Sequence, residues 1–222
     1  MGTSPDASPS AGQLAAELLG AMAYGELSAF GRLSFDSRFA PTLHDRSVLA
    51  KIAVGAYGNF ALLNDRLTEM GIDPEEAMLP FQRSFDHFHE RTKPGDWYES
   101  VMKAYVIDTV SSDFYRSVSA FLDSATQQFV ERVASPDQAT EVLRVLLRRA
   151  LADDPRLASR LAMWGRRLVG EALTQAQRVG MEHPRLGPTL KSGGDARAAI
   201  KRLTGELAEK HGRRMTGLGL TA

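Results

Sequence analysis

The chain has 222 residues and a formal net charge of zero at neutral pH, with 43% hydrophobic and 24% charged residues. This balance is typical of a globular protein that buries a sizeable core, and it excludes a chain that is disordered throughout. The absence of cysteine excludes disulfides, thiolate metal sites and a cysteine nucleophile, and it favours a cytoplasmic location.

Small and polar residues open the chain and predict a disordered leader over 1–12. Apolar residues then recur with the period of about 3.6 that is typical of an α-helix, and no strand-like alternation is found. The pattern predicts helix A over 13–35 and helix B over 42–70, which together form a helical hairpin. Apolar runs stay far below the roughly 18 residues of a membrane-spanning helix, so no membrane insertion is expected.

A long crossover and a second hairpin are predicted next. The crossover covers 72–95, and Pro80 is expected to interrupt its helix. Helix C opens at Asp96, whose carboxylate is placed to cap the first backbone amides, and it is predicted over 96–133. Helix D is predicted over 155–182.

Two hairpins joined by one long crossover are the topology of ferritin-like bundles. The sequence therefore predicts an all-α fold, a ferritin-like four-helix bundle with a long crossover and extra short helices. One of the short helices is expected to begin at Ser135-Pro136. The bundle is expected over 13–186. A linker and a C-terminal helix and tail are expected over 187–222, with Asp195 as the cap of that helix.

Each of the four long helices carries one polar side chain near its middle, on the apolar stripe that faces the core. These side chains are Glu26, Asn59, Asp108 and Glu171. An ionised carboxylate in a core is costly unless it is paired or bound to a metal. Glu26, Asp108 and Glu171 are therefore the candidate metal ligands, and all four side chains are expected at one level of the bundle. Carboxylates prefer hard cations, so if this site binds a metal, iron or manganese is the expected ion.

Three segments, residues 24–30, 96–106 and 161–177, resemble the ferritin-like family related to the tRNA isopentenyladenosine hydroxylases. The resemblance covers about 14–182. It implies a four-helix bundle, a non-haem di-iron site and oxygen-dependent hydroxylation of a modified adenosine in tRNA.

The ligand set that this resemblance implies is only partly present. A Glu-x-x-His motif is expected on helices B and D, but helix B has Ala56 and Asn59 at these positions, and helix D has Glu171 followed by Thr174. Two hypotheses follow. The favoured one is a non-catalytic binding or assembly bundle that needs no cofactor, with a depleted, carboxylate-only site that forms a polar network or holds a single metal weakly. The alternative is a di-iron or manganese oxygen-dependent hydroxylase.

Charge is unevenly distributed along the chain. Residues 1–140 contain 11 Lys+Arg and 19 Asp+Glu, whereas residues 141–222 contain 16 and 8. The positive C-terminal half is explained either by a tRNA-binding surface or by oppositely charged helices that pack together, and the second explanation is favoured. A homo-oligomer formed through helix faces is compatible with the fold. His87 and His89 are expected on a solvated helix face rather than at a metal.

Overall fold

The computed structural model describes residues 11–135, 138–183 and 196–221. These residues form eight α-helices and a short 3₁₀ turn, and they contain no strand, which confirms the predicted all-α fold. The helices are α1 Ala11–Asp36, α2 Leu43–Glu69, α3 Pro74–Arg91, α4 Trp97–Ser119, α5 Ser124–Val133, α6 Gln138–Asp153, α7 Leu157–Glu182 and α8 Ala196–Gly217.

The central helix of the bundle is α4, which packs against α1, α5, α6, α7 and α8. Most of its side chains are buried, as expected for a helix that is surrounded by others. The α1 and α2 helices pack along each other as the predicted hairpin. Where α1 crosses α3 the backbones are close, since a Cβ atom at Gly20 would lie 2.2 Å from the carbonyl oxygen of Ala77.

Several helices begin or end at residues that cap the helix backbone. The Asp96 carboxylate accepts a hydrogen bond from the Glu99 amide at 2.9 Å, which confirms the predicted start of α4. The Glu99 carboxylate in turn accepts from the Gly95 amide at 2.8 Å. Gly71 follows α2 with φ of 73°, a left-handed conformation that favours glycine and ends the helix.

The prediction that Pro80 breaks the crossover helix is wrong, because α3 runs through it from Pro74 to Arg91. Pro80 is exposed, and so is Glu76, whose carbonyl loses its helical partner and can bind water instead. The same helix buries Phe81 and Phe88. Burial of these two aromatic side chains stabilises the helix by more than the lost backbone hydrogen bond costs.

The prediction of one helix over 96–133 is also wrong. The α4 helix ends at Ser119, and α5 begins at Ser124. Asp123 caps α5, since its carboxylate accepts from the Thr126 amide at 2.9 Å and from the Thr126 hydroxyl at 2.7 Å. These bonds also lower the pKa of Asp123. An aspartate with a threonine three residues later was a local signal for this second start.

The C-terminal helix α8 packs against α4 and α7 and ends at Gly217. Met215, Leu218 and Leu220 belong to the main core cluster around α4 and α7. The predicted linker, Pro136 at the predicted start of a short helix and the predicted cap Asp195 lie outside the described residues, as does the predicted leader apart from its last positions. No helix in the described ranges is both long enough and apolar enough to cross a membrane.

Candidate functional site

A cavity of about 460 Å³ lies between the α1–α2 hairpin and α4, and it also reaches α3, α6 and α7. Its size lies within the range of about 300–1,000 Å³ that is usual for small-molecule sites. Its walls include the buried Leu33 and Leu143 as well as the exposed Lys51 and Asp108. The cavity therefore extends from the protein surface into the core.

Three of the four polar side chains predicted on the inner stripes line this cavity, namely Glu26, Asn59 and Asp108. Glu26 and Asn59 are half-buried, and Asp108 is exposed. Asp108 accepts a hydrogen bond from the Thr140 hydroxyl of α6. The spacing of residues on helices A, B and C thus indicated side chains that face one common space.

Glu171 does not line this cavity. It lies in a second cavity of about 400 Å³, where Arg91 donates two hydrogen bonds to its carboxylate at 2.8 and 2.9 Å. The Arg91 guanidinium lowers the pKa of Glu171, so its charge is already paired. The structure therefore does not bring the three predicted carboxylates together. Within the described residues, no three His, Cys, Asp or Glu side chains are close enough to hold a metal ion.

Glu26 and Tyr115 both line the main cavity, and the charge of Glu26 acts on the Tyr115 phenol. Burial raises the pKa of Tyr115, and the negative charge of Glu26 raises it further, while a hydrogen bond with Ser111 acts in the opposite direction. Gly25 leaves room for this phenol, because a Cβ atom there would lie 2.9 Å from the Tyr115 hydroxyl. This end of the cavity is therefore polar.

A buried charged cluster lies beside the same cavity, and the sequence interpretation missed it. It consists of Arg32 and Asp36 on α1, His89 on α3 and Lys103 on α4. Lys103 is only 1% exposed, and its Nζ lies 3.5 Å from the His89 carbonyl oxygen. The Arg32 Nη1 atom lies 3.9 Å from Asp36 Oδ2, too far for a hydrogen bond. Arg32 and His89 also line the cavity.

Burial sets the protonation of this cluster. It lowers the pKa of Lys103 to about 7, and the Arg32 charge adds to the effect while Asp36 opposes it. Burial likewise lowers the pKa of His89 to about 2, with Lys103 and Arg32 adding to the effect, so this imidazole is neutral. Burial raises the pKa of Asp36, whereas the two neighbouring cations lower it.

Two signals in the sequence pointed to this cluster. Lys103 interrupts the apolar run from Val101 to Ile107, where a charged side chain is unusual. The two crossover histidines were expected to face solvent together, but only His87 is exposed, while His89 turns toward the core. Residues at i and i+2 lie on different sides of a helix, so one of the two had to face inward on a packed α3.

Two helical hairpins joined by one long crossover are the topology of the ferritin-like proteins. The chain has this topology, with a cavity between the hairpins. Residues 11–193 match the family described as the ferritin-like domain of actinomycetes, and the chain belongs to this family. A solved structure from Synechococcus, described as a protein with aldehyde deformylating oxidase activity, matches with a TM-score of 0.59 and 16% sequence identity. That match covers 93% of this chain and 94% of the other chain.

The comparisons confirm the predicted ferritin-like fold. At 16% identity the structural match shows the fold alone. No curated protein matches this chain. A relation to the tRNA hydroxylases is not shown by either match.

Proposed function

We propose that this protein is a ferritin-like binding protein that holds a small, largely apolar molecule in the cavity between the α1–α2 hairpin and α4. The observation that carries the proposal is the composition of the cavity wall. It is mainly apolar, with a few polar side chains such as Glu26, Asn59 and Gln175. Such a combination gives affinity through apolar burial and orientation through a few hydrogen bonds.

The side chains of the cavity do not fit the di-metal centre that ferritin-like bundles often hold. Ala56 and Asn59 both line the cavity at the positions of the expected Glu-x-x-His pair, where they offer a methyl group and an amide. Glu171 is paired with Arg91 in the other cavity. Glu26 and Asp108 are thus left as two carboxylates, and within the described residues the His89 imidazole of the same wall forms no three-residue metal-binding group with them. This supports a binding role over oxygen chemistry.

Filling the cavity tests the binding role. Ala56→Phe adds a ring to the cavity wall, so binding of an apolar fluorescent probe such as anilinonaphthalene sulfonate is expected to fall at least about tenfold, because the apolar space is occupied. Ala50→Phe is the matched control, since Ala50 is exposed on the same helix and does not line the cavity. Equal binding by parent, Ala56→Phe and Ala50→Phe proteins would contradict the proposal.

A metal-dependent oxygenase is the second candidate function, with iron or manganese as cofactor and, by resemblance, a modified adenosine in tRNA as substrate. It is favoured by the presence of Glu26 and Asp108 on one cavity wall. The Synechococcus protein, which is described as having aldehyde deformylating oxidase activity, shares the fold. Binding of tRNA through the basic C-terminal half is part of this candidate and is not favoured.

Elemental analysis separates the two candidates. Protein produced in medium supplemented with iron and manganese is expected to contain far less than one equivalent of either metal. Ala56→Glu combined with Asn59→His is expected to raise the metal content, because both positions line the cavity. Adding Thr174→His is expected to have no further effect, since Thr174 lines the second cavity. Near-stoichiometric iron in the parent that is lost in Glu26→Ala would favour the oxygenase.

A further inference from the structure

Two side chains on different helices reach the main cavity with hydrogen-bonding capacity that the protein does not use. Arg32 comes from α1 and His89 from α3, and both line the cavity. The Nε and Nη1 atoms of Arg32 and the Nδ1 atom of His89 are shielded from solvent and have no hydrogen-bond partner. Buried polar atoms are almost always paired, so these three atoms point to a partner that the protein itself does not supply.

The neighbouring carboxylates do not fill this role. Asp36 lies 3.9 Å from Arg32 Nη1, and its own Oδ2 atom is also without a hydrogen-bond partner. Asp108 favours the charged form of Arg32, but it is exposed and accepts a hydrogen bond from Thr140. Glu26 acts electrostatically on Tyr115, and its effect on Arg32 is not among the causes of the Arg32 pKa shift. The Nε and Nη1 donors of Arg32 therefore remain unpaired beside the cavity.

The buried charges of the cluster favour an anion. Arg32 is cationic, and Lys103, whose pKa lies at about 7, is a second cation when it is protonated, whereas Asp36 is the carboxylate buried with them. The His89 imidazole can donate one hydrogen bond from Nδ1 in the matching tautomer. A group with one negative charge and two acceptor oxygens would balance the charge and satisfy donors from both helices.

We propose that Arg32 and His89 bind the carboxylate head group of an apolar carboxylic acid, whose hydrocarbon body fills the apolar part of the cavity. This inference rests on the proposed binding function and adds the chemical class of the ligand. Leu33, Phe85 and Phe88 line the cavity and supply apolar surface for the body. The acid enters from the exposed side of the cavity and ends with its head group in the core.

Two probes with the same chain and different head groups test the inference on the full-length protein. Octanoate and octanol are titrated separately, and binding is followed by calorimetry. Because charge-assisted hydrogen bonds are stronger than neutral ones, octanoate is expected to bind at least about tenfold more tightly than octanol. Arg32→Met is expected to weaken octanoate binding by at least about tenfold and to leave octanol binding unchanged.

Arg46→Met is the matched control, since Arg46 is an exposed arginine on α2 that does not line the cavity. It should bind both probes like the parent. If Arg32→Met does not fold, His89→Phe removes one donor while keeping a ring, and it should weaken octanoate binding alone. Equal binding of both probes to the parent would overturn this inference and leave the binding function intact. If neither probe binds and the cavity-filling variant behaves like the parent, both proposals fail.

Discussion

The Asp113→Ala variant is expected to lower the free energy of unfolding by about 2–3 kcal/mol, because a buried carboxylate that serves several cations is removed. Asp113 of α4 lies 2.6 Å from Arg214 and 3.4 Å from Lys210, both on α8, and 3.8 Å from Arg116. The Arg214 contact is close without the alignment of a hydrogen bond, since the Asp113 Oδ2 atom has no hydrogen-bond partner. The expected loss is below that of a fully buried pair, because the cations are partly exposed.

Glu131→Ala is the control for this variant. Glu131 also pairs with Arg116, at 2.8 Å, but its side chain is 61% exposed, whereas that of Asp113 is 6% exposed. An exposed ion pair contributes about 0–1 kcal/mol, so the control should change stability little. Urea unfolding at neutral pH measures both variants, and amide hydrogen exchange should show faster exchange in α8 for Asp113→Ala. Similar losses in the two variants would show that burial of Asp113 does not stabilise the docking of α8.

The stability of the parent protein is expected to rise between about pH 7 and pH 10, by on the order of a few kcal/mol. Burial lowers the pKa of Lys103 from 10.5 in the unfolded chain to about 7 in the folded protein. Within this window the unfolded chain binds more protons than the folded protein, so raising the pH favours folding. Below about pH 7 both states are protonated at this residue, and its contribution no longer changes with pH.

Lys103→Met is expected to remove most of this rise, because methionine fills a similar space without a titrating group. Lys93→Met serves as the control, since Lys93 is an exposed lysine in the loop before α4. It should keep the pH dependence of the parent. Thermal or urea unfolding at several pH values between 6 and 10 provides the measurement. An unchanged slope in Lys103→Met would show that another group causes the rise.

Helix positions were predictable where local chemistry specifies them. Asp96 caps α4 and Gly71 ends α2, and both effects depend on residues within one turn. The errors at Pro80 and at the α4–α5 break have a different origin. Whether a proline is tolerated in α3 depends on the burial of Phe81 and Phe88 by other helices. The periodic pattern that continues past Ser119 hid the second cap at Asp123.

The sequence predicted which helix face carries each polar side chain of the inner stripes. It did not predict which residues these side chains contact. Helical periodicity assigned Glu26, Asn59 and Asp108 to inward faces, and all three line the cavity. Glu171 was assigned by the same rule, but its partner Arg91 lies 80 residues away in the chain. Periodicity specifies the face of a helix on which a residue lies, and it carries no information on which side chain of another helix meets it.

From its sequence alone the chain could be assigned to all-α proteins of the ferritin-like type, because backbone capping and apolar periodicity are local and repeat over every helix. The buried cluster of Arg32, Asp36, His89 and Lys103 depends instead on three helices that meet in space. The same holds for the pairing of Glu171 with Arg91 and for the cavity between the hairpins. Burial and charge pairing depend on distances between segments far apart in the chain, and only the packing of the helices sets those distances.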